Sequence, residues 1–199
     1  MDDAELLDAW REGDRRAGRE LFARHIDAVS RFFANKIGEE REDLIQRTFL
    51  ACVEARDRIR SSFRAYVLRV ARNELYDHFT ARMRGGVDPL TTSVLEAGAS
   101  PSGIVAQRER DELLLLALQR LPLALQACVE LYYWEELSMQ ELGEILDIAP
   151  GTAKSRLHRA RELLRDDLHR LLEGHDPPPA DHDLDAWARS LRELFVPEA

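Results

Sequence analysis

Apolar positions recur at helical spacing along most of this chain, in three blocks separated by stretches rich in glycine and proline. The first block covers residues 1–84, and its apolar stripe begins with Leu6, Leu7, Trp10, Leu21, Phe22 and Ile26. Asp2 and Glu5 have the spacing of a capping box, in which two side chains satisfy free amide groups at a helix start. Because hardly any β-branched alternation interrupts the helical period, this block predicts one helical domain.

The second block, residues 108–172, follows a stretch at residues 85–107 whose glycines, prolines and small polar residues predict a flexible linker. Within the block, residues 138–165 predict two short helices joined by a tight turn. Ser138 and Glu141 repeat the capping-box spacing at the start of the first of these helices. Asp147 tolerates the left-handed backbone of a turn, and Pro150 suits the first position of the next helix.

The third block, residues 173–199, starts with a Pro-rich spacer and ends in a helix with one apolar face: Leu184, Trp187, Leu191, Leu194 and Phe195. A lone helix of this length is marginal in water, so we expect the face to dock, either on a DNA-binding domain or on a partner, with a regulatory effect. A solvated terminus is the alternative. The predicted fold class is all-α, with two small helical domains joined by a flexible linker, a helix-turn-helix in the second, and a C-terminal amphipathic helix.

Charge is distributed unevenly along the chain. The net charge is −9, which by itself argues against a nucleic-acid partner. Residues 56–86, however, hold eight arginines against three acids, and residues 150–170 hold six cations against three acids. The local potential governs contact with phosphate, so two basic islands suggest two places where DNA is bound.

The second basic island has the pattern of a recognition helix, with polar and cationic residues on one side and small or apolar residues on the other. The outward positions are Thr152, Lys154, Ser155, Arg156, His158 and Arg159. Such a helix fits the major groove, where Arg and Lys donate to guanine and hydroxyl groups hold phosphates. A solvated basic helix is the alternative interpretation.

The sequence offers little for other kinds of chemistry. Cys52 and Cys128 are isolated in apolar helical patterns, which indicates core residues and not a disulfide or a zinc site. There is no Gly-rich phosphate loop, nucleophile elbow or metal-ligand cluster, so we predict no enzymatic activity, cofactor or small-molecule substrate. No apolar stretch is long enough to cross a bilayer and the N-terminus is acidic, so a cytoplasmic protein without membrane insertion is expected.

From about Leu6 to Leu172 the chain resembles the extracytoplasmic-function sigma factors, two-domain promoter-recognition subunits of bacterial RNA polymerase. The second domain resembles their region four, in its leading Leu121-Pro122 and in Gly151-Thr152, Lys154-Ser155-Arg156-Leu157 and Arg159-Ala160-Arg161. The first domain resembles their region two, in Glu42-Asp43-Leu44-Ile45-Gln46, Thr48-Phe49-Leu50, Phe63-Arg64-Ala65-Tyr66, Ala71-Arg72-Asn73 and Asp77-His78.

The resemblance implies a transcription initiation factor that binds core RNA polymerase and promoter DNA, and it allows an anti-sigma protein as a further partner. The outward residues of the recognition helix would bind the −35 element. The residues that would bind and melt the −10 element are Arg58, Arg60, Phe63, Tyr66, Arg69, Arg72, Asn73 and Asp77, with the loop at residues 56–62 shaping a pocket for a flipped base. The clamp helices of the largest polymerase subunit would be bound by Glu42, Asp43, Leu44, Gln46 and Phe49.

Four positions depart from the family pattern. Arg47 stands where an acid is usual, Gly143 where alanine is usual, Asp147 where glycine is usual, and Ala149 where a capping serine is common. An alternative function, a free-standing helix-turn-helix repressor with a helical sensing or dimerisation domain, explains the second domain alone. Such a repressor would bind a palindromic operator without polymerase.

Overall fold

The computed structural model describes residues 1–83, 85–96, 109–171 and 181–195. Over these ranges the regular structure is helical, apart from one isolated bridge between Ser93 and Pro122. The predicted all-α class is confirmed. Most of the predicted linker, residues 97–107, and residues 175–180 of the Pro-rich spacer predicted at residues 175–183 lie outside the described residues, whereas residues 181–183 begin the last α-helix.

Four helices build the first half of the chain: α1 (Asp3–Arg11), α2 (Arg15–Ala34), α3 (Arg41–Ala55) and α4 (Phe63–Arg82). The predicted capping box at the start of α1 is present, with Asp2 accepting from the Glu5 amide and the Glu5 carboxylate accepting from the Asp2 amide. Ser62 caps α4 through the Ala65 amide at 3.2 Å. These local caps fix where the helices begin, and their apolar faces meet in one core.

The second half contains α5 (Glu109–Arg120), α6 (Leu123–Tyr133), α7 (Met139–Leu146) and α8 (Pro150–Leu171). The capping box of Ser138 and Glu141 starts α7, and α8 begins at Pro150, as the sequence predicts. The start of α6 lacks a side-chain cap. Instead, the amides of Leu123 and Ala124 donate to carbonyl groups of Thr92 and Pro89, at 2.9 and 2.8 Å.

Residues 85–96, the first part of the predicted linker, therefore serve as the N-terminal cap of α6. Val94 is buried and anchors this segment. Both cysteines are buried as well, and burial raises the pKa of the Cys52 and Cys128 thiols to about 12. The prediction that they are core residues is confirmed, and they stay protonated and unreactive at neutral pH.

The C-terminal segment forms α9 (Asp181–Ser190), followed by a 3₁₀ turn at Leu191–Phe195. The predicted apolar face exists: Leu184, Leu191 and Phe195 are buried, while Trp187 and Leu194 are partly buried against the core. This helix does not remain solvated, because it packs against α6, and its 3₁₀ turn also lies against α2.

The two halves pack directly on one another, α4 against α7 and α2 against α6. Charged pairs as well as apolar side chains cross their interface. Glu130 of α6 is 1% exposed and pairs with Lys36, which is fully buried at the end of α2. Glu135 pairs with Arg31 at 2.8 Å and with Arg64 at 3.4 Å. We call this packing of α2 and α4 on α6 and α7 the closed arrangement.

Candidate nucleic-acid interface

The turn between α7 and α8 is built around Gly143. Asp147 ends α7 in the left-handed region, with φ 55° and ψ 49°. Its amide and that of Ile148 both donate to the Gly143 carbonyl, which closes the turn. A Cβ at Gly143 would stand 2.7 Å from the Ile148 carbonyl oxygen. The glycine at this departure from the family pattern is therefore required by the close approach of the turn.

The turn presents α8 with its cationic side outward. Five of the six predicted contacts are exposed: Thr152, Lys154, Ser155, His158 and Arg159. The Ser155 hydroxyl donates to the Gly151 carbonyl at 3.0 Å, and His158 lies 3.6 Å from Glu162. Ala153, Leu157 and Ala160 are buried on the opposite side. An exposed helix with this face matches the dimensions of a major groove.

A second polar face runs along α4. Tyr66, Arg69, Asn73 and Asp77 lie on one side of this helix, since they are three or four residues apart, and they are exposed or half-exposed. The Arg69 guanidinium lies 5.3 Å from the centre of the Tyr66 ring. Burial raises the pKa of the Tyr66 hydroxyl, which remains protonated. A ring, cations and an amide in one row suit a single strand with unstacked bases.

The loop that precedes α4 is firmly anchored. Its Ile59 side chain is buried, and the Arg11 guanidinium of α1 donates to the Ile59 carbonyl at 2.5 Å. Arg58 and Arg60 are exposed beside it. The Ser61 hydroxyl oxygen is buried with no hydrogen-bond partner among the described residues. This hydroxyl, which sequence reasoning missed, adds an unused donor to the loop of the expected base pocket.

Phe63 does not belong to this surface. It is 1% exposed and packs in the core of the first half, its ring centre 6.0 Å from that of Phe22 and 6.3 Å from that of Trp10. In this conformation no base can reach the ring, and its role as a −10 contact stays a prediction. Phe63 instead fixes the start of α4 against α1 and α2.

The predicted polymerase-binding residues also include both exposed and buried side chains. Glu42, Asp43 and Gln46 are exposed on α3, whereas Leu44 is 1% and Phe49 is 9% exposed. The two apolar residues pack in the core in this structure, and their role in polymerase binding stays a prediction. The Asp43 carboxylate also pairs with the Arg47 guanidinium at 2.5 Å.

Two apolar residues that the sequence reasoning did not assign complete the exposed face of α3. Leu50 is 55% exposed and Val53 is 48% exposed, four and seven residues after Gln46. Large apolar side chains that are this exposed at helical spacing indicate a contact surface. Their helical spacing from Gln46 is the feature of the sequence that could have identified them as part of the same face.

The remaining predicted DNA contacts, Arg72 and Arg156, lie near each other across the boundary between the two halves, and the Arg72 guanidinium donates to the Asn73 side-chain oxygen at 2.7 Å. Both are half-buried, and Arg72 lies within electrostatic range of Arg156 and of Asp147. Burial lowers the pKa of the Arg72 guanidinium, and the nearby Arg156 acts in the same direction. Tyr76, one turn further along α4, is half-buried close to the same two arginines. The closed arrangement therefore restricts one cation from each basic island.

Other kinds of site are not evident in the part of the chain that the structure describes. Across these ranges, no cluster of three His, Cys, Asp or Glu side chains has the geometry to hold a metal ion. Nor does any helix there combine the length and apolar character needed to span a membrane. The charged faces of α3, α4 and α8 are thus the main candidates for function.

Comparison with protein families identifies both halves of the chain. The family model for Sigma-70 region 2 matches residues 21–85, and the model for Sigma-70, region 4 matches residues 111–164. The first match spans α2 to α4 and the second spans α5 to most of α8.

Curated relatives match over nearly their whole length. The RNA polymerase sigma factor CarQ of Myxococcus xanthus is 33% identical over 172 residues, which cover 83% of this chain and 97% of the relative. The ECF RNA polymerase sigma factor SigW of Bacillus subtilis is 28% identical over 176 residues, covering 81% of this chain and 94% of the relative.

Two solved structures share the fold. CnrH in complex with the cytosolic domain of CnrY has a TM-score of 0.60 at 22% identity, covering 87% of this chain and 99% of CnrH. RpoE from Bartonella quintana, in complex with the anti-sigma factor NepR, has a TM-score of 0.57 at 20% identity, covering 79% and 98%. With the matched regions and relatives, these likenesses show that the chain belongs to the extracytoplasmic-function group of the sigma-70 family, the transcription initiation factors that bind core RNA polymerase.

Proposed function

We propose that this sigma factor reads a −35 element with α8 and engages a −10 element with α4, while α3 holds the polymerase. The exposed cationic face of α8 is the observation that carries this proposal. Lys154 and Arg159 contact phosphates or bases from that face, and Arg156 joins them once it is free of the first domain. A repressor function is not favoured, because region 2 would have no role in it.

On the first domain, the row of Tyr66, Arg69, Asn73 and Asp77 binds the unpaired strand, with Arg58 and Arg60 on its backbone. The anchored loop around Ile59 is a rigid frame for a flipped base, which lowers the entropic cost of capturing it.

The face of α3 that contacts the polymerase consists of Glu42, Asp43, Gln46, Leu50 and Val53. It combines acids at its N-terminal end, which complement a basic helix, with two exposed apolar anchors at its C-terminal end, and protein interfaces commonly pair apolar anchors with polar surroundings. Because the Arg47 guanidinium neutralises Asp43, Glu42 carries more of the charge complementarity than Asp43.

These roles imply a domain organisation and a cellular setting. We propose region 2 at residues 1–84, a linker at residues 85–107, region 4 at residues 108–172 and a regulatory segment at residues 173–199. The protein acts in the cytoplasm and has no catalytic activity of its own. Since the neighbours CnrH and RpoE are seen with CnrY and NepR, an anti-sigma protein is a further partner.

The test is whether the purified chain, added to bacterial core RNA polymerase, opens the DNA upstream of its own gene. Permanganate reactivity of unpaired thymines reports the opening. We expect reactivity that requires both the chain and the core enzyme. Tight binding to duplex DNA by the chain alone, without melting in the presence of polymerase, would instead support the repressor.

A further inference from the structure

The C-terminal segment contacts both halves of the molecule at the place where they meet. The Trp134 ring, at the end of α6, lies 4.9 Å from the Phe195 ring, and its Nε1 donates to the Ala188 carbonyl at 2.8 Å. Trp134 is 1% exposed. The 3₁₀ turn that carries Phe195 also lies against α2 of the first half. We call residues 181–195 the C-terminal strap.

A polar contact fixes the other end of the strap. Asp185 accepts a hydrogen bond from the Tyr133 hydroxyl, and its second oxygen lies 3.3 Å from the Arg161 guanidinium. Arg161 also donates to the Tyr133 oxygen at 2.7 Å. Burial and the bond to Asp185 raise the pKa of Tyr133, so its hydroxyl remains a donor. The strap is therefore held by apolar and ionic contacts together.

Side chains from all three parts meet around one cavity of about 390 Å³. Arg31 comes from the first half, Tyr133 and Glu136 from the second, and Arg189, Arg192 and Glu193 from the strap. The Arg31 guanidinium is bound to Glu135, the residue next to Trp134. The C-terminal strap, α2 and α6 therefore meet at one corner of the closed arrangement. Loss of the strap would expose that corner to water.

The closed arrangement is incompatible with simultaneous reading of two promoter elements. Elements centred near −35 and −10 are about 25 base pairs apart, or about 85 Å at the ~3.4 Å rise of B-DNA. The longest helix among the described residues, α8 with 22 residues, is only about 33 Å long. Arg72 and Arg156, one from each reading helix, lie within electrostatic range of each other in this structure.

We propose that the C-terminal strap holds the sigma factor closed in cis, and that it must leave Trp134 and α2 before both DNA elements can be bound. The strap is an autoinhibitory contact, and its release exposes Arg72 and Arg156 together. The inhibitory effect rests on the proposed function, whereas the effect on the arrangement of the two halves does not.

The test uses the full chain with Leu191→Ala and Phe195→Ala combined, which removes the buried anchors of the 3₁₀ turn. Ala186→Ser, at an exposed position of α9, is the matched control. Small-angle scattering of the free protein gives the radius of gyration, and titration of the polymerase holoenzyme with promoter DNA that carries both elements gives the affinity. We expect the double variant to expand and its holoenzyme to bind promoter DNA at least about 5-fold more tightly, since the competent fraction limits apparent affinity. The control should match the parent.

Circular dichroism separates release from unfolding, because a released strap leaves the helices of both halves intact. Asp185→Asn, which keeps the side-chain volume, should shift the radius and affinity in the same direction by a smaller amount. An unchanged radius in a folded double variant would overturn the proposal. Expansion without tighter promoter binding would overturn its inhibitory part, and absence of promoter binding in parent and variant alike would instead count against the proposed function.

Discussion

Arg156 illustrates how a single side chain can have two environments. In the closed arrangement it is half-buried within electrostatic range of Arg72, with Asp147 also near Arg72. In the open, DNA-bound state it would lie in the major groove, where an arginine donates two hydrogen bonds to guanine. Its contribution to promoter binding therefore depends on the opening of the two halves as well as on base contact.

We expect Arg156→Ala to weaken promoter binding by the holoenzyme by about 1–3 kcal/mol, the usual value of a base-edge contact. The loss should depend on the −35 sequence, because phosphate contacts by Lys154 and Arg159 are unaffected. His169→Ala, at an exposed position near the end of α8, is the control. Binding measured on native and scrambled −35 DNA tests this, and an equal loss on both would make Arg156 a phosphate contact.

At the residue scale, the sequence predicts which side chains carry charge better than it predicts which are buried. Phe63 and Phe49 look like surface aromatics in a basic or acidic motif, yet both rings pack near Phe22. Their partner comes from α2, more than 25 residues earlier in the chain. A local pattern cannot show that contact, because the crossing of α2 with α3 and α4 creates it.

At the scale of elements, helix starts are the best-predicted features, since their signals are local. Both capping boxes and the Pro150 start are found where the sequence places them. The consequence of Gly143 could not be predicted in the same way. An alanine is helix-favouring and common at this position of the motif, but the geometry of the following turn brings the Ile148 carbonyl against it.

We expect Gly143→Ala to lower the free energy of unfolding by about 1–3 kcal/mol, because the added methyl group meets backbone that can relax only by moving the turn. Gly151→Ala is the matched control. No atom lies within 4 Å of a Cβ there, and the helical site should gain up to about 1 kcal/mol. Urea unfolding of the three proteins checks both changes, and a Gly143→Ala variant as stable as the parent would contradict the close approach.

Buried charges that only the fold brings together also contribute to the closed state of the whole molecule. Lys36 and Glu130 are 94 residues apart in sequence and fully or almost fully buried as a pair. Burial lowers the pKa of Lys36 and raises that of Glu130, and in each case the opposite charge offsets part of the effect. Asn35 and Gln126 also donate to Glu130, at 2.8 and 3.0 Å. A sequence pattern predicts that charged residues such as Lys36 and Glu130 are exposed to solvent. The closed arrangement was not predicted for this reason.

The pair gives a prediction about the equilibrium between closed and open states. Glu130→Gln keeps the hydrogen bonds to Asn35 and Gln126 but leaves the Lys36 ammonium buried without its countercharge, a loss of about 3–5 kcal/mol if the interface stays shut. The two halves can avoid part of that cost by separating, because water then hydrates Lys36. We therefore expect this variant to open and expand in scattering while each half keeps its helices.

Adding Lys36→Met to Glu130→Gln removes the unpaired charge and should restore most of the closed population, since a neutral pair in a buried site often replaces an ionic one at little cost. Glu144→Gln, at an exposed position of α7, is the control and should change nothing. Hydrogen exchange at the end of α2 and along α6 measures the opening in each protein. A double-mutant cycle of the parent, the two single variants Glu130→Gln and Lys36→Met, and the double variant gives the coupling energy between the two residues. A Glu130→Gln protein with unchanged exchange and radius would show that the pair does not control closure. Opening that the second substitution reverses would establish buried charge, and not apolar area alone, as the determinant of when the two promoter-reading halves separate.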